Sequence, residues 1–412
     1  MTQPRLIPAS DGWWCLASGK AAHLPSVAVS EGRLVEPARR TLQERGFFDA
    51  PTPPFALTVL TATSCNLGCA YCFQNTEPSH AAKNPFAPAR IDRRLLAQDD
   101  IERITSFVQE RMTTLGAEKL SLLLFGGEPL LNPRACTELL HRLSPLGLVN
   151  AQMISNTVLL TPKLARQLHE AGLRRIQVSF DGNRADHDGT RIDHKGAGTY
   201  DRILRNVARA AQETALKWQF RVNVSHHNIN GLDQLIDELA SIPLATPATL
   251  SLALIDDVGV GYENQLAYAD QLADRFLRLI DHALDRGLSV PVMGAPLTDC
   301  PFCGGFAGTT GAVVNADGTL YSCWETAGRP EWSVGNLIDG YLPDETINDK
   351  WVACDYAAKS HGAPETTRRF YDQVDCHILD RTHRASTTSP RPSPAGVAAT
   401  TKSAHSPSVP PQ

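Results

Sequence analysis

Between residue 55 and about residue 290 the chain alternates short apolar runs with longer amphipathic ones, and this alternation leaves few folds open. The runs at 56–62, 120–125, 151–155, 175–180, 218–224 and 249–255 read as strands. Helical periodicity occupies 97–114, 133–144, 162–171, 200–213, 231–241 and 263–286. Six strands separated by helices make parallel βαβ units with right-handed crossovers, arranged as an open doubly wound sheet or as part of a barrel. Either arrangement puts chemistry at the C-terminal ends of the strands. Before this region, residues 12–16 suggest a strand and 35–48 an amphipathic helix, closed off by Pro51-Thr52-Pro53-Pro54. That extension reads as a packing element, or as a dock for a peptide. After Pro296 the composition turns to Gly, Cys and short strands, and 311–323 reads as a hairpin turning at Ala316-Asp317-Gly318. From 383 onward Ser, Thr, Pro and Ala dominate without large apolar residues, so disorder is expected. Four segments result: 1–50, 51–292, 293–382 and 383–412.

Charge and hydropathy exclude some partners. Lys plus Arg is 39 against 44 for Asp plus Glu, a net charge of −5, which argues against a nucleic-acid binder. No stretch reaches the roughly 18–20 apolar residues of a membrane span. The first twenty residues lack a basic region followed by an apolar one, so no signal peptide is read there and a cytoplasmic location is expected. In a reducing compartment clustered cysteines are metal ligands or catalytic groups more often than disulfides. The ten cysteines here are clustered: three lie within eight residues and five follow residue 299. Cys15 and Cys136 stand alone and read as small buried residues.

The first cluster, Cys65-Asn66-Leu67-Gly68-Cys69-Ala70-Tyr71-Cys72, directly follows the first strand. Its C-x3-C-x2-C spacing offers soft ligands for iron–sulfur or zinc. A closed zinc site needs a fourth ligand, and none follows at a standard spacing. Three thiolates on a four-iron cluster leave one iron open to a cofactor. With Tyr71 before the third cysteine, the segment resembles the defining motif of the radical S-adenosylmethionine (SAM) enzymes. Other motifs follow in that family's order, each at a predicted strand end. Gly126-Gly127-Glu128-Pro129 matches its GGEP motif, which implies that Glu128 accepts from the SAM amino group and that the glycines permit close backbone approach. Ser155-Asn156 matches the ribose segment, with Thr157 where the usual form has glycine. Ser179-Phe180-Asp181-Gly182 followed by His187-Asp188-x2-Arg191 matches the peptide-modifying branch and implies that Ser179 and Arg191 hold the SAM carboxylate. Salt bridging on a surface loop is the other reading of Arg191. Leu254 and Ile255 fall where the family packs adenine, or serve the core alone. The resemblance covers roughly residues 55–340 and implies a partial (β/α)6 TIM-like barrel.

Cys300-x2-Cys303 and Gly318-x4-Cys323, with Cys354 and Cys376 downstream, resemble a twitch-like or shortened SPASM domain. That implies an auxiliary [4Fe–4S] cluster drawn from these five cysteines, although the full SPASM cysteine run is missing. A zinc knuckle on Cys300 and Cys303 is the rival.

The chemistry implied by the resemblance is one-electron cleavage of SAM to methionine and a 5′-deoxyadenosyl radical, which abstracts hydrogen from the substrate. The expected partners are a precursor peptide or protein and an electron donor such as flavodoxin or ferredoxin. The leading expectation is a maturase that installs a crosslink, or another oxidative change, in a ribosomally made peptide. Oxidation of a protein side chain, as in sulfatase maturation, or of a small alcohol is the alternative, with Asp256, Asp257 and Glu325 as candidate bases. A non-catalytic metal-binding adaptor is the third reading; it predicts loss of the SAM contacts, yet Glu128, Ser179 and Arg191 are present.

Overall fold

The computed structural model describes residues 4–50, 52–69, 71, 72, 74, 91–255, 264–293, 308–351 and 364–388. The chain opens with an antiparallel meander, β1 (Arg5–Ala9), β2 (Gly12–Ala17) and β3 (Lys20–Pro25), then a short β4 (Val29–Ser30) and β5 (Arg33–Leu34) pair and helix α1 (Glu36–Glu44). Cys15, Leu42 and Phe47 form a small core of their own beneath it.

Six parallel strands follow: β6 (Phe55–Ala62), β7 (Leu120–Gly126), β8 (Leu148–Ser155), β9 (Arg175–Phe180), β10 (Lys217–Val224) and β11 (Thr249–Leu254). They lie side by side in chain order. The connections carry α2 (Gln98–Leu115), α3 (Pro133–Leu143), α4 (Pro162–Glu170), α5 (Arg184–Thr190), α6 (Tyr200–Glu213) and α7 (Leu232–Ala240); α8 (Asp270–Asp285) follows β11. A doubly wound sheet reverses strand order at a switch point, and this one never does. The partial barrel is therefore the arrangement adopted. The helix expected over 263–286 starts only at Asp270.

Strand alternation divides the burial between two faces. Leu57, Val59, Leu122, Leu124, Met153, Ile176, Val178, Phe220, Val222, Leu250 and Leu252 face the helices and form one large core with them. Each such side chain, fully buried, contributes about 1.5–3 kcal/mol. Across the sheet, Leu60, Leu123, Phe125, Val313, Tyr321 and Ala327 form a second, smaller cluster with Ile154, Trp324 and Trp332 against it. This cluster fills one half of the barrel lumen. The other half is polar: Gln177, Ser179, Gln219, Arg221 and Ser251 share the opposite parity, and Ser179 and Ser251 flank Arg221 in register.

The hairpin expected near 311–323 is present as β12 (Gly311–Val314) and β13 (Thr319–Tyr321), followed by β14 (Ser333–Asn336) and β15 (Gly340–Tyr341). It is not a separate sheet. Strand β12 pairs in parallel with β6, so one ten-stranded sheet crosses the boundary expected at 292. The contact is so close that a Cβ on Gly311 would lie 2.0 Å from the carbonyl oxygen of Ala56. A short helix, α9 (Asp344–Ile347), precedes the last element.

That element corrects the expected tail. Helix α10 (Pro364–Thr388) runs through the boundary drawn at 383, so residues 383–388 are helical; 389–412 lie outside the described residues. Its Phe370, Tyr371, Val374 and Ile378 bury a helical stripe. Its polar side chains are pinned from both sides, which carries the helix past the point where composition alone favours coil. His377 Nε2 meets Asp281 at 2.8 Å and Arg381 meets Asp285 at 2.5 Å on α8. From the meander, Trp14 Nε1 donates to Asp380 at 2.7 Å, and Arg5 reaches Asp372 at 2.6 Å and Asp375 at 2.5 Å. Asp375 is fully buried and also accepts from the Met293 amide. Among the described residues no helix is long and apolar enough to cross a membrane.

Arg5→Ala strips a buried carboxylate of its cation and is expected to cost about 2–4 kcal/mol. Chemical denaturation reads the loss directly, and limited proteolysis is expected to cut α10 first.

Candidate active site

The cysteine loop leaves the C-terminal end of β6 and is stitched down on both sides. Leu67 is a buried plug, Gly68 N donates to Ile192 O at 2.9 Å, and His194 Nε2 lies 2.9 Å from Cys65 O. Within it Cys65, Cys69 and Cys72 are half-buried. Burial pushes the Cys65 thiol far up, with the neighbouring Cys69, Glu128 and Cys72 adding to the effect. Cys69 is pushed up to about 12 by burial, partly offset by the Arg191 charge. The Cys65 and Cys69 thiols hold their protons until a metal's positive charge displaces them. Among the described residues no three His, Cys, Asp or Glu side chains gather tightly enough for a single ion. A four-iron cluster takes each thiolate on a different iron, so its ligands need not meet at a point. A loop of three soft donors fits such a cluster.

The turn after β7 is a strand-to-helix turn capped by Glu128, whose side chain accepts from Leu130 N. Gly127 N donates to Ala62 O at 2.8 Å and Glu128 N to Ser64 O at 2.9 Å, zipping the turn to the base of the cysteine loop. A Cβ on Gly126 would stand 2.1 Å from Ala62 O, and one on Gly127 2.4 Å from Ser64 O. Both glycines lie close against the chain's own backbone.

Glu128 is fully buried and already partnered. Its Oε1 accepts from Leu130 N at 2.9 Å and Ser155 Oγ at 2.7 Å, and its Oε2 accepts from Asn156 N at 2.7 Å. Burial raises it to about 6 against the lowering pull of these bonds. A carboxylate has about four lone-pair sites, so one remains on Oε2. Ser155 and Asn156 thus first serve to shape the end of β8.

A second network crosses the lumen mouth. Tyr71 OH donates to Asp181 Oδ2 at 2.7 Å and accepts from Arg191 Nη1 at 2.7 Å and Asn223 Nδ2 at 2.9 Å. Asn223 also reaches Asp181 Oδ1 at 3.1 Å, and Arg221 Nε donates to Asn223 Oδ1 at 3.0 Å. Arg191 is buried, which overturns the surface-loop reading. Burial works against its charge, but the Asp181 carboxylate and the hydrogen bond to Tyr71 hold the guanidinium above its ordinary range. Burial raises Asp181, with Arg191 opposing. The Nε of Arg191 is buried without a partner among the described residues. Asn223 and Arg221 were not singled out from sequence, although the alternation of Gln219, Arg221 and Asn223 along β10 marks a polar wall.

Leu254 needs correcting as an adenine contact. It shares strand parity with Leu250 and Leu252 and packs in the helix-facing core; Ser251 and Ala253 have the opposite parity. Ile255 is buried as well. Glu325 is half-buried beside Trp324, whereas Asp256 and Asp257 lie outside the described residues. Cys323 is buried just past β13, and the Trp324 ring lies tilted by 35° with its centroid 5.3 Å from that of Phe125. Cys300, Cys303 and Cys354 lie outside the described residues. Cys376 sits elsewhere, on α10, with its Sγ 3.3 Å from Pro8 O. Burial raises it to about 11, and Asp380, Asp372, Asp11 and Asp375 push the same way. Cys136 is buried between Thr61 and Pro129 O.

The family description "Radical SAM superfamily" fits residues 59–239. GTP 3′,8-cyclase of Xanthomonas campestris pv. campestris (strain 8004) is 30% identical over 302 residues, covering 68% of this chain and 81% of that protein. The chain belongs to the radical SAM superfamily. A second relative, GTP 3′,8-cyclase of Lactiplantibacillus plantarum, is 34% identical over 122 residues, 30% of this chain and 32% of that protein. This radical SAM chain spans about a third of the length of the first curated relatives it matches. The same fold is found in native anSMEcpe with bound AdoMet, at 15% identity and TM-score 0.59, over 81% of this chain and 100% of that one. It recurs in Streptococcus suis SuiB bound to precursor peptide SuiA, at 16% identity and TM-score 0.50, over 77% and 70%. As a radical SAM protein the chain takes a [4Fe–4S] cluster and SAM, and its three-thiol loop has the donors for the cluster.

Glu128→Ala leaves the Leu130 and Asn156 amides buried without acceptors. A loss of about 2–4 kcal/mol is expected, visible as a lowered thermal midpoint of the metal-free protein.

Proposed function

We propose that this radical SAM enzyme modifies a ribosomally synthesised peptide, forming a crosslink or another oxidised product at an unactivated C–H bond. The observation that carries this reading is the single sheet joining barrel and hairpin. It sets a Cys323-bearing hairpin against the lumen that the Cys65 loop overlooks, and the chain shares its fold with anSMEcpe and SuiB. Native anSMEcpe is also solved with bound Kp18Cys and Cp18Cys peptides, and SuiB with its precursor peptide.

When bound, the cluster and SAM supply the electron and the carbon radical of the reaction. The chain's own residues supply the rest. Cys65, Cys69 and Cys72 hold the cluster. Glu128 offers its remaining Oε2 lone pair, and Arg191 and Ser179 offer donors to a carboxylate. Tyr71, Asp181 and Asn223 hold Arg191 at its station without consuming every donor. Leu60, Phe125, Ile154 and Trp324 keep water off their half of the lumen, where a radical must not meet a stray hydrogen donor. Cys323 with Cys300, Cys303 and Cys354 is the proposed auxiliary ligand set, an acceptor for the electron that oxidation releases; Cys376 is left out of it. The meander and α1 form the proposed peptide dock, with flavodoxin or ferredoxin as electron donor.

A second reading, a small anionic substrate, is favoured by the GTP 3′,8-cyclase relatives and by Arg221. That guanidinium is half-exposed in the lumen and has no carboxylate within ion-pair distance among the described residues.

Cys65→Ala is expected to abolish 5′-deoxyadenosine formation from SAM under strong reductant, read by liquid chromatography; continued formation sinks the assignment. The Cys65/Cys69/Cys72 triple-Ala protein, reconstituted without oxygen, is expected to keep about four irons. Zinc in their place makes the hairpin region structural. Incubation with SAM and either GTP or a candidate precursor peptide separates the two readings by the mass of the product.

A further inference from the structure

Thr157 stands in the left-handed region at φ +57°, where a β-branched residue is a genuine outlier. Such strain persists only where the surroundings over-determine it. Here they do. Thr157 N donates to Ser155 Oγ at 2.9 Å, Asn206 Nδ2 donates to Thr157 O at 2.8 Å and Val158 O at 3.1 Å, and Leu160 N closes on Thr157 O at 3.0 Å. What the turn holds in place is the carboxamide of Asn156. Its backbone N–H is fixed on Glu128, and its Oδ1 accepts from Val158 N at 3.0 Å. That bond decides which end of the amide is oxygen, because only an acceptor can face an N–H. The amino end therefore points at the cysteine loop, 2.8 Å from Asn66 Oδ1 and 3.8 Å from Cys65 Sγ. Leu67 N approaches the same sulfur at 3.4 Å.

We infer that Asn156 tunes the cluster: its Nδ2–H donates to the Cys65 sulfur and makes the cluster easier to reduce. This rests on the assignment of Cys65, Cys69 and Cys72 as cluster ligands. An N–H···S bond stabilises the extra negative charge of the reduced state, and hydrogen bonds to ligand sulfurs are among the determinants of cluster potential. The role differs from that of a ribose contact, since the amino group is spent on Asn66 and the sulfur. Asn156 is a positioning residue that acts through Cys65.

The test uses full-length protein reconstituted without oxygen and without SAM. Its reduction is followed by electron paramagnetic resonance against a series of poised potentials. The signal of the Cys65/Cys69/Cys72 triple-Ala protein is subtracted to remove any auxiliary cluster. Asn156→Ala deletes the donor; Asn156→Asp keeps the acceptor for Val158 N but replaces the amino group with oxygen. Both are expected to lower the reduced-to-oxidised ratio at a fixed potential several-fold, a tenfold fall corresponding to about 59 mV for one electron. SAM affinity by equilibrium dialysis is expected to stay within about twofold of wild type. An unchanged midpoint overturns the inference, and an unchanged midpoint with weakened SAM binding makes Asn156 a SAM contact instead. If neither variant loads iron while wild type does, the carboxamide serves assembly and tuning is again overturned. Wild-type protein with no iron in the loop defeats the ligand assignment itself, a separate result.

Discussion

Glu128 carries its carboxylate where no solvent reaches, and two strand ends take their shape from the donors it collects while its backbone N–H ties down a third. Its own backbone N–H is bonded to Ser64 at the root of the cysteine loop, while its side chain gathers Leu130 from the turn after β7 and Ser155 and Asn156 from the end of β8. With burial raising it only to about 6, the group remains mostly ionised at neutral pH. Charge-assisted bonds of this kind are short and directional. The cysteine loop, the glycine turn and the strained Asn156–Thr157 turn are thereby one rigid unit, and a cluster bound there inherits that rigidity.

Around this unit the barrel interior is divided by chemistry. The wall from β6 to β8 is closed by apolar side chains, and the hairpin completes it with Trp324 against Phe125. The wall from β9 to β11 carries hydrogen-bonding groups in register, with Arg221 between two serines. A substrate entering such a space meets a dry side and a polar side, which orients it before any bond is made.

The strands were legible because their period and length are set locally: 175–180 is the observed span of β9, and the other five shift only at their ends. The cysteine loop and the glutamate turn were equally plain, since few other structures require those residue types at that spacing. What sequence alone misplaced depends on contacts between distant segments. Leu254 was open between an adenine contact and the core, and strand parity puts it in the core. Why the glycines at 126 and 127 are needed was legible only in part, because a Cβ at either would meet Ala62 or Ser64, more than sixty residues away. The Ser- and Thr-rich stretch after 382 looked like coil because nothing nearby in sequence announces that Trp14, Asp281 and Asp285 brace the helix it prolongs. Asn223 escaped notice because its partners, Tyr71 and Asp181, are 152 and 42 residues away.

The bond between Arg5 and Asp375 joins residues 370 positions apart. On a ribosome adding about 5–20 residues per second, the two ends of that bond emerge roughly 20–70 s apart. During that interval the first three strands of the chain exist without the helix that covers them, and the barrel forms between the two halves of an unclosed clasp. The last of the described helices to be made is the one that seals the first sheet.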